Sequence, residues 1–308
     1  VKTMEFKLDL KSNALDSFNE AIKKFQQGEN GDYKAFKFAI LHLSHCFELT
    51  LKMYIQTLDE NLIFSKCYRA VIERAKSDKV NLIEAFYKME AEEFDFEELI
   101  KGHKNPHTIT LDQAISIATH EKCSITSVDL VDKELLDDIA WMKDLRNSIE
   151  HYEFSFTIKY VRLAMGRLVR GLAEFSDIFG LYDLDKEVSK EISNSYNILS
   201  DEYEHNVHEG YLDVADARKA AFLGVRPKFF ELVNWKEYIC DYCGHETMIQ
   251  NNDSTSGYRC TYCGAEDSGS IEVTCDVCGA EWPEEEMSSW LGEGTNTCPD
   301  CRDISNKP

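Results

Sequence analysis

Residues 240–301 carry four Cys-x-x-Cys knuckles, CDYC (240–243), CTYC (260–263), CDVC (275–278) and CPDC (298–301), close to the end of a 308-residue chain. Each knuckle sets two thiolates about one turn apart, so two knuckles complete the tetrahedral sulfur cage that Zn2+ prefers. Sixteen residues separate the first two knuckles and nineteen the last two, while only eleven lie between the inner pair. Each of the two longer gaps has room for a short hairpin. The spacing predicts two successive four-cysteine zinc ribbons, 237–268 with Cys240, Cys243, Cys260 and Cys263, and 269–308 with Cys275, Cys278, Cys298 and Cys301. A cross-brace between alternate knuckles uses the same eight ligands. Gly244, Gly264 and Gly279 follow three of the knuckles, as a tight turn around a metal requires, whereas Arg302 follows the fourth. A disulfide framework is the competing reading. The odd total of eleven cysteines, the lack of a secretory leader pattern and the lack of a long apolar stretch point instead to a reducing, cytoplasmic setting without a membrane anchor. Four thiolates leave no open position for a metal-bound water, so both zincs are expected to be structural.

The remainder of the chain is expected to be mainly α-helical. Apolar residues recur at three- and four-residue intervals, and Pro106 is the only proline before Pro227. Leu15, Phe18, Ile22 and Phe25 make one stripe over 12–27, ended by the glycines of 28–31. A second helix over 33–58 is apolar round most of its circumference, with Phe36, Phe38, Ile40, Leu43, Phe47 and Leu51, as suits the centre of a bundle. After a loop at 102–110, Leu135, Ile139, Met142, Leu145 and Ile149 mark a helix ending near Tyr152, and another follows over 156–179. The predicted organisation is a helical domain at 1–180, an acidic helical connector at 181–236 and the two ribbons.

Charge restricts the partners. A net charge of −22 disfavours a general nucleic-acid or anionic-membrane surface, so any RNA contact has to come from a local cationic patch. The tail is acidic too: over 240–308 its cations are Arg259, Arg302 and Lys307, and each four-thiolate zinc site adds a formal charge of minus two. It reads as a protein-docking or dimerising module.

One segment upstream carries chemistry. In LRNSIEHYEF, Arg146 is followed by Asn147 and, five positions after the arginine, by His151. Asn147 and His151 share a helix face, while Arg146 points about 100° away from Asn147. Two copies across a symmetric interface bring the three groups to one cleft. Histidine can act as base or acid at neutral pH, and arginine offers a planar fork of donors to phosphoryl oxygens. The plain reading of the same residues is an i,i+4 ion pair between Arg146 and Glu150 with a polar histidine at the helix end.

The RNSIEH segment resembles the R-x4-6-H signature of the HEPN family, including the polar residue after the arginine, and HLSHCFELTLKMYI (42–55) is similar to that family's long central helix. The resemblance spans roughly residues 10–180. It implies an all-α bundle that forms a homodimer and cleaves RNA, such as tRNA or mRNA, without a catalytic metal, in phage defence or as a toxin. Carried over to this chain, the catalytic set is Arg146, Asn147 and His151, with Glu48 and Lys52 as a supporting pair. The implied products are a 2′,3′-cyclic phosphate and a 5′-hydroxyl. The tail is then a site for a regulatory or trigger protein, a dimer brace, or a gate that competes with RNA. The alternative is a non-catalytic dimerisation scaffold whose ribbons bind a partner protein.

Other clusters are ambiguous at this level. Lys159, Arg162, Arg167 and Arg170 make either a phosphate-binding face or a solvated stripe. Lys101, His103, Lys104 and His107 form a basic loop. His42, His45 and Cys46 read as core groups rather than metal ligands, Glu202, His205, His208 and Glu209 as surface composition, and Cys67 and Cys123 as ordinary thiols.

Overall fold

The computed structural model describes residues 8–103, 106–118, 130–131, 133–151, 155, 157–288 and 295–305. The chain forms two compact units, Val1–Tyr203 and Glu204–Pro308, divided within one 32-residue helix, Lys190–Ala221. Lys104, Cys123, Tyr152, Phe156 and Lys307, to which sequence expectations attach, lie outside the described residues.

The first unit is helical. In chain order it holds α1 (Leu10–Glu29), α2 (Ala35–Leu58), α3 (Ser65–Asp78), α4 (Leu82–Ala91), α5 (Leu111–Ala118), α6 (Lys133–His151), α7 (Ile158–Ile178), α8 (Leu184–Glu187) and the start of α9 (Lys190–Ala221). The Asp9 carboxylate accepts the Ser12 amide hydrogen at 2.7 Å, and this cap starts α1 ahead of the expected position at 12. The Thr157 hydroxyl caps α7 in the same way, accepting from the Tyr160 amide at 3.1 Å. α2 lies at the centre, against α1, α5, α6 and α7. Ile40, Leu43, Leu51 and Ile55 on it are fully buried, with Phe18 and Ile22 of α1, Leu135 of α6 and Phe175 of α7 in the same core. Each such side chain contributes roughly 1.5–3 kcal/mol relative to exposure. Phe38 departs from the expected pattern, because it is 48% exposed on the outer side of α2.

A buried charge cluster joins α6 to α7. Asp138 is 4% exposed and Arg167 3%. Arg167 Nε donates to Asp138 Oδ1 at 2.7 Å, and Arg170 Nη2 donates to Asp138 Oδ2 at 2.5 Å. The Arg167 guanidinium also lies 4.3 Å from the centre of the Trp141 ring. Arg162 pairs with Glu202 at 2.7 Å and with Glu29. Arg162, Arg167 and Arg170 are therefore neither a solvated stripe nor an open phosphate-binding face, because carboxylates from α1, α6 and α9 already neutralise them. α7 and α9 approach closely at Gly166, where a Cβ would fall 2.2 Å from the Leu199 carbonyl oxygen.

The second unit begins with the remainder of α9 and a 3-10 turn at Pro227–Leu232. A three-stranded antiparallel sheet follows, β1 (Glu237–Tyr238), β2 (Met248–Gln250) and β3 (Tyr258–Cys260), in that spatial order, with Tyr238 opposite Met248 and Met248 opposite Cys260. β4 (Glu272–Thr274) and β5 (Glu281–Pro283) form a separate hairpin, and α10 (Pro299–Ser305) starts beside the last knuckle. Lys236 ties the two sheets by pairing with Glu272 of β4 at 2.7 Å and Glu281 of β5 at 2.5 Å. Among the described residues no helix is long and apolar enough to cross a membrane.

Replacing Asp138 with Ala takes the buried carboxylate away from Arg167 and leaves Arg170 with Glu134 and Glu174. The variant is expected to lose about 3–5 kcal/mol, read as a lower urea midpoint for the helical signal in circular dichroism. An unchanged midpoint would show that water replaces the carboxylate at no cost.

Candidate functional site

Arg146 sits on the last turns of α6 and is held by two carboxylates. Its Nη1 donates to Glu48 Oε2 of α2 at 2.7 Å, and its Nε donates to Glu150 Oε1 at 3.3 Å. The i,i+4 pair of the plain reading thus exists, together with a second, interhelical partner 98 positions away in sequence. Nη2 makes no hydrogen bond among the described residues, and the Arg146 side chain keeps 25% of its exposure. Burial works against charge on Arg146, but Glu48 and Glu150 outweigh it and hold the guanidinium above its ordinary pKa.

Glu48 is shared. Its Oε1 accepts from Lys52 Nζ at 2.7 Å, and Lys52, itself buried, also donates to Thr108 Oγ1 at 3.2 Å. Burial raises the Glu48 pKa, yet the two cations overcome it and hold the carboxyl below its usual range. Glu48 therefore joins Lys52, one turn along α2, to Arg146 of α6.

Asn147 and His151 are both exposed on α6. They stand about 40° apart around the helix, whereas Arg146 and His151 stand about 140° apart. Within one helix the geometry groups Asn147 with His151 and turns Arg146 towards α2.

The sequence reading missed a neighbour of this cluster. His45, one turn before Glu48 on α2, is half-buried, and its Nδ1 lies 3.0 Å from the Ser17 hydroxyl of α1. No partner among the described residues occupies Nε2. Burial pushes the His45 pKa down; Glu48 opposes this and Arg146 adds to it. The spacing of His45 to Glu48 was visible in sequence, but Ser17 and Arg146 on other helices were not. Cys46 beside it is a core thiol, pushed up to about 12 by burial. Of the basic loop, Lys101 pairs with Asp95 at 3.5 Å and His103 contacts Lys66.

The cysteines form two separate cages, Cys240/Cys243/Cys260/Cys263 and Cys275/Cys278/Cys298/Cys301, each with its sulfurs within 4.8 Å of one another. Successive knuckles pair, so the cross-brace is not adopted. Sulfur separations are 3.6 Å for Cys240–Cys263 and 3.7 Å for both Cys243–Cys260 and Cys278–Cys298. A tetrahedron with metal–sulfur bonds of about 2.3 Å has edges near 3.8 Å, so the donors and their spacing fit Zn2+. Cys240, Cys243 and Cys260 are buried in the first cage, while Cys278 is exposed in the second. Gly244 and Gly264 take positive φ of 72° and 83°, and their amides return to the Cys240 and Cys260 carbonyls. The first cage rests on α9 within its own unit: the Thr261 hydroxyl donates to the Gly210 carbonyl at 2.8 Å, and His245 packs edge-on against Tyr211 and Tyr262. Among the described residues no other group of three potential ligands gathers, neither at His42, His45 and Cys46 nor at Glu202 to Glu209.

No family model matches this chain, and comparison with curated proteins and with solved structures finds no match.

Two outcomes follow. His45 titrates below its ordinary 6.5 in the folded bundle, so its contribution to stability is present above that pH and lost as pH falls through the lowered value. Urea unfolding at pH 7.5 and 5.0 should show a smaller loss for His45→Gln than for the parent, and equal losses would remove His45 from the account. Metal analysis should find two zincs per chain and one after Cys243→Ser; chelation should abolish the sheet signal while the helical signal stays.

Proposed function

We propose that the helical unit is a HEPN-type endoribonuclease that cleaves RNA by attack of a ribose 2′-hydroxyl on the adjacent phosphate. The products are a 2′,3′-cyclic phosphate and a 5′-hydroxyl. The observation that carries this reading is the state of Arg146: carboxylates of two helices orient it, and one guanidinium nitrogen is left to bind a phosphoryl oxygen, on the helix end that presents Asn147 and His151. His151 moves protons between the 2′-hydroxyl, the leaving 5′-oxygen and solvent. Arg146 stabilises charge on the phosphorane, and Asn147 orients the phosphate or the imidazole. Because Arg146 and His151 diverge around α6, the reading includes a homodimer in which each protomer contributes to a shared cleft. The zinc ribbons dock a regulatory or trigger protein, and defence against phage or toxin activity is the setting the resemblance suggests.

A second reading has its own support. Arg146 and Lys52 are matched by Glu48 and Glu150, so one copy of the cluster carries no net charge to attract a phosphate. This favours a scaffold whose helical unit dimerises while its ribbons bind a partner protein.

The two are separated by cleavage of total RNA and tRNA in the presence of a chelator too weak to strip the ribbons. The nuclease reading expects Arg146→Ala and His151→Ala each to lower the rate by at least about a hundredfold with folding and zinc content unchanged. Equal rates for parent and both variants would leave the scaffold.

A further inference from the structure

The arginines of α7 are neutralised, which leaves open where an acidic protein would hold a polyanion. One stretch stands apart in charge. Over 217–236 the cations are Arg218, Lys219, Arg226, Lys228 and Lys236 and the only carboxylate is Glu231, a balance of plus four in a chain of −22. Lys236 is paired with Glu272 and Glu281, and Arg218 reaches Glu237 at 3.7 Å. Lys219, Arg226 and Lys228 are exposed and have no carboxylate partner among the described residues.

Aromatic rings are interleaved with these cations. Where the end of α9 meets the 3-10 turn, Tyr211, Lys219, Phe222 and Phe230 line a groove of about 430 Å³, with Glu237, the partner of Arg218, at its wall. Phe222 and Phe230 meet edge to face at 5.0 Å. Phe230 and its neighbour Phe229 are each more than 40% exposed, and the Lys228 ammonium lies 4.8 Å from the centre of the Phe229 ring. Leu223 and Leu232 are 81% and 79% exposed beside them. Unpaired cations alternating with exposed rings are the chemistry by which single strands are held: backbone phosphates on the cations and bases on the rings.

We infer that this surface, at the end of α9 and the 3-10 turn, binds a single-stranded segment of RNA. The inference rests on the ribonuclease reading for the identity of the strand, and it supplies the local cationic patch which that reading needs. Charge complementarity selects the occupant, since the surrounding chain repels polyanions and this stretch does not. Sequence preference at the surface should be weak, because every base presents a ring face.

The test uses the full zinc-loaded chain carrying His151→Ala, so that binding is read without cleavage. Fluorescence anisotropy with an unstructured RNA of about 12 nucleotides, within the span that one single-strand groove covers, is compared with and without Lys219→Ala/Arg226→Ala/Lys228→Ala, and with Phe229→Ala/Phe230→Ala. The triple variant should bind at least about tenfold more weakly and flatten the slope of log affinity against log salt by about 2, at about 0.7 per lost phosphate contact. The aromatic variant should lose about tenfold with its salt slope unchanged. Retained affinity in both variants would overturn the inference. So would retained affinity accompanied by loss of self-association in sedimentation, which would make the surface a protein interface. The two proposals fail separately: a parent that binds here without cleaving removes the nuclease and keeps the surface, and a parent that cleaves while these variants bind normally does the reverse.

Discussion

The Glu48 carboxylate is the joint on which the polar cluster of the helical unit depends. It stands on the central helix α2, accepts from Lys52 one turn along, and reaches Arg146 near the end of α6. A carboxylate this far from water is costly unless each oxygen is occupied, and here each oxygen takes a different cation. The arrangement fixes the roll of α6 about its axis, and with it the side on which Asn147 and His151 face solvent. The Asp138 cluster does the same work from the other side by fastening α6 to α7. A helix end held from two directions can present polar groups without paying for their order at each encounter with a ligand.

That joint could be read only partly from sequence. The Glu48 and Lys52 spacing is local, and so are the arginine and histidine of RNSIEH, because helical periodicity places them before any tertiary contact is known. The same holds for the eight cysteine ligands, which the knuckle spacing marks, whereas the fold decides that successive rather than alternate knuckles pair. The stripes of α1 and α2 were legible for the same reason. What escaped was pairing across long separations. Nothing near Arg162, Arg167 or Arg170 in sequence announces Glu29, Asp138 or Glu202, so a cationic stripe on one helix became three neutralised arginines in the fold. Ser17 beside His45 is a contact of this type, and the shorter helices α3 to α5 gave too few turns to stand out.

Charge then organises the functional account. An acidic chain excludes polyanions from most of its surface, and this raises the weight of the few places where cations lack partners. The Arg146 cluster is balanced in one copy, so under the proposed ribonuclease reading phosphate affinity would come from hydrogen-bond geometry and from a second copy rather than from net field. The segment before the first ribbon has the opposite character, with exposed rings and with Lys219, Arg226 and Lys228 lacking carboxylate partners among the described residues. A division between a surface that captures a strand and a site that reacts with it would let the site remain neutral, and neutrality would limit indiscriminate cleavage of RNA.

The central claim is nucleophilic attack by a ribose hydroxyl, and the most direct measurement substitutes a single 2′-deoxynucleotide at a mapped cleavage position of an RNA substrate. The account predicts that the substituted position resists the parent protein while neighbouring positions are cut to cyclic-phosphate and 5′-hydroxyl ends. Cleavage at the deoxy position, or 5′-phosphate ends at any position, would contradict it.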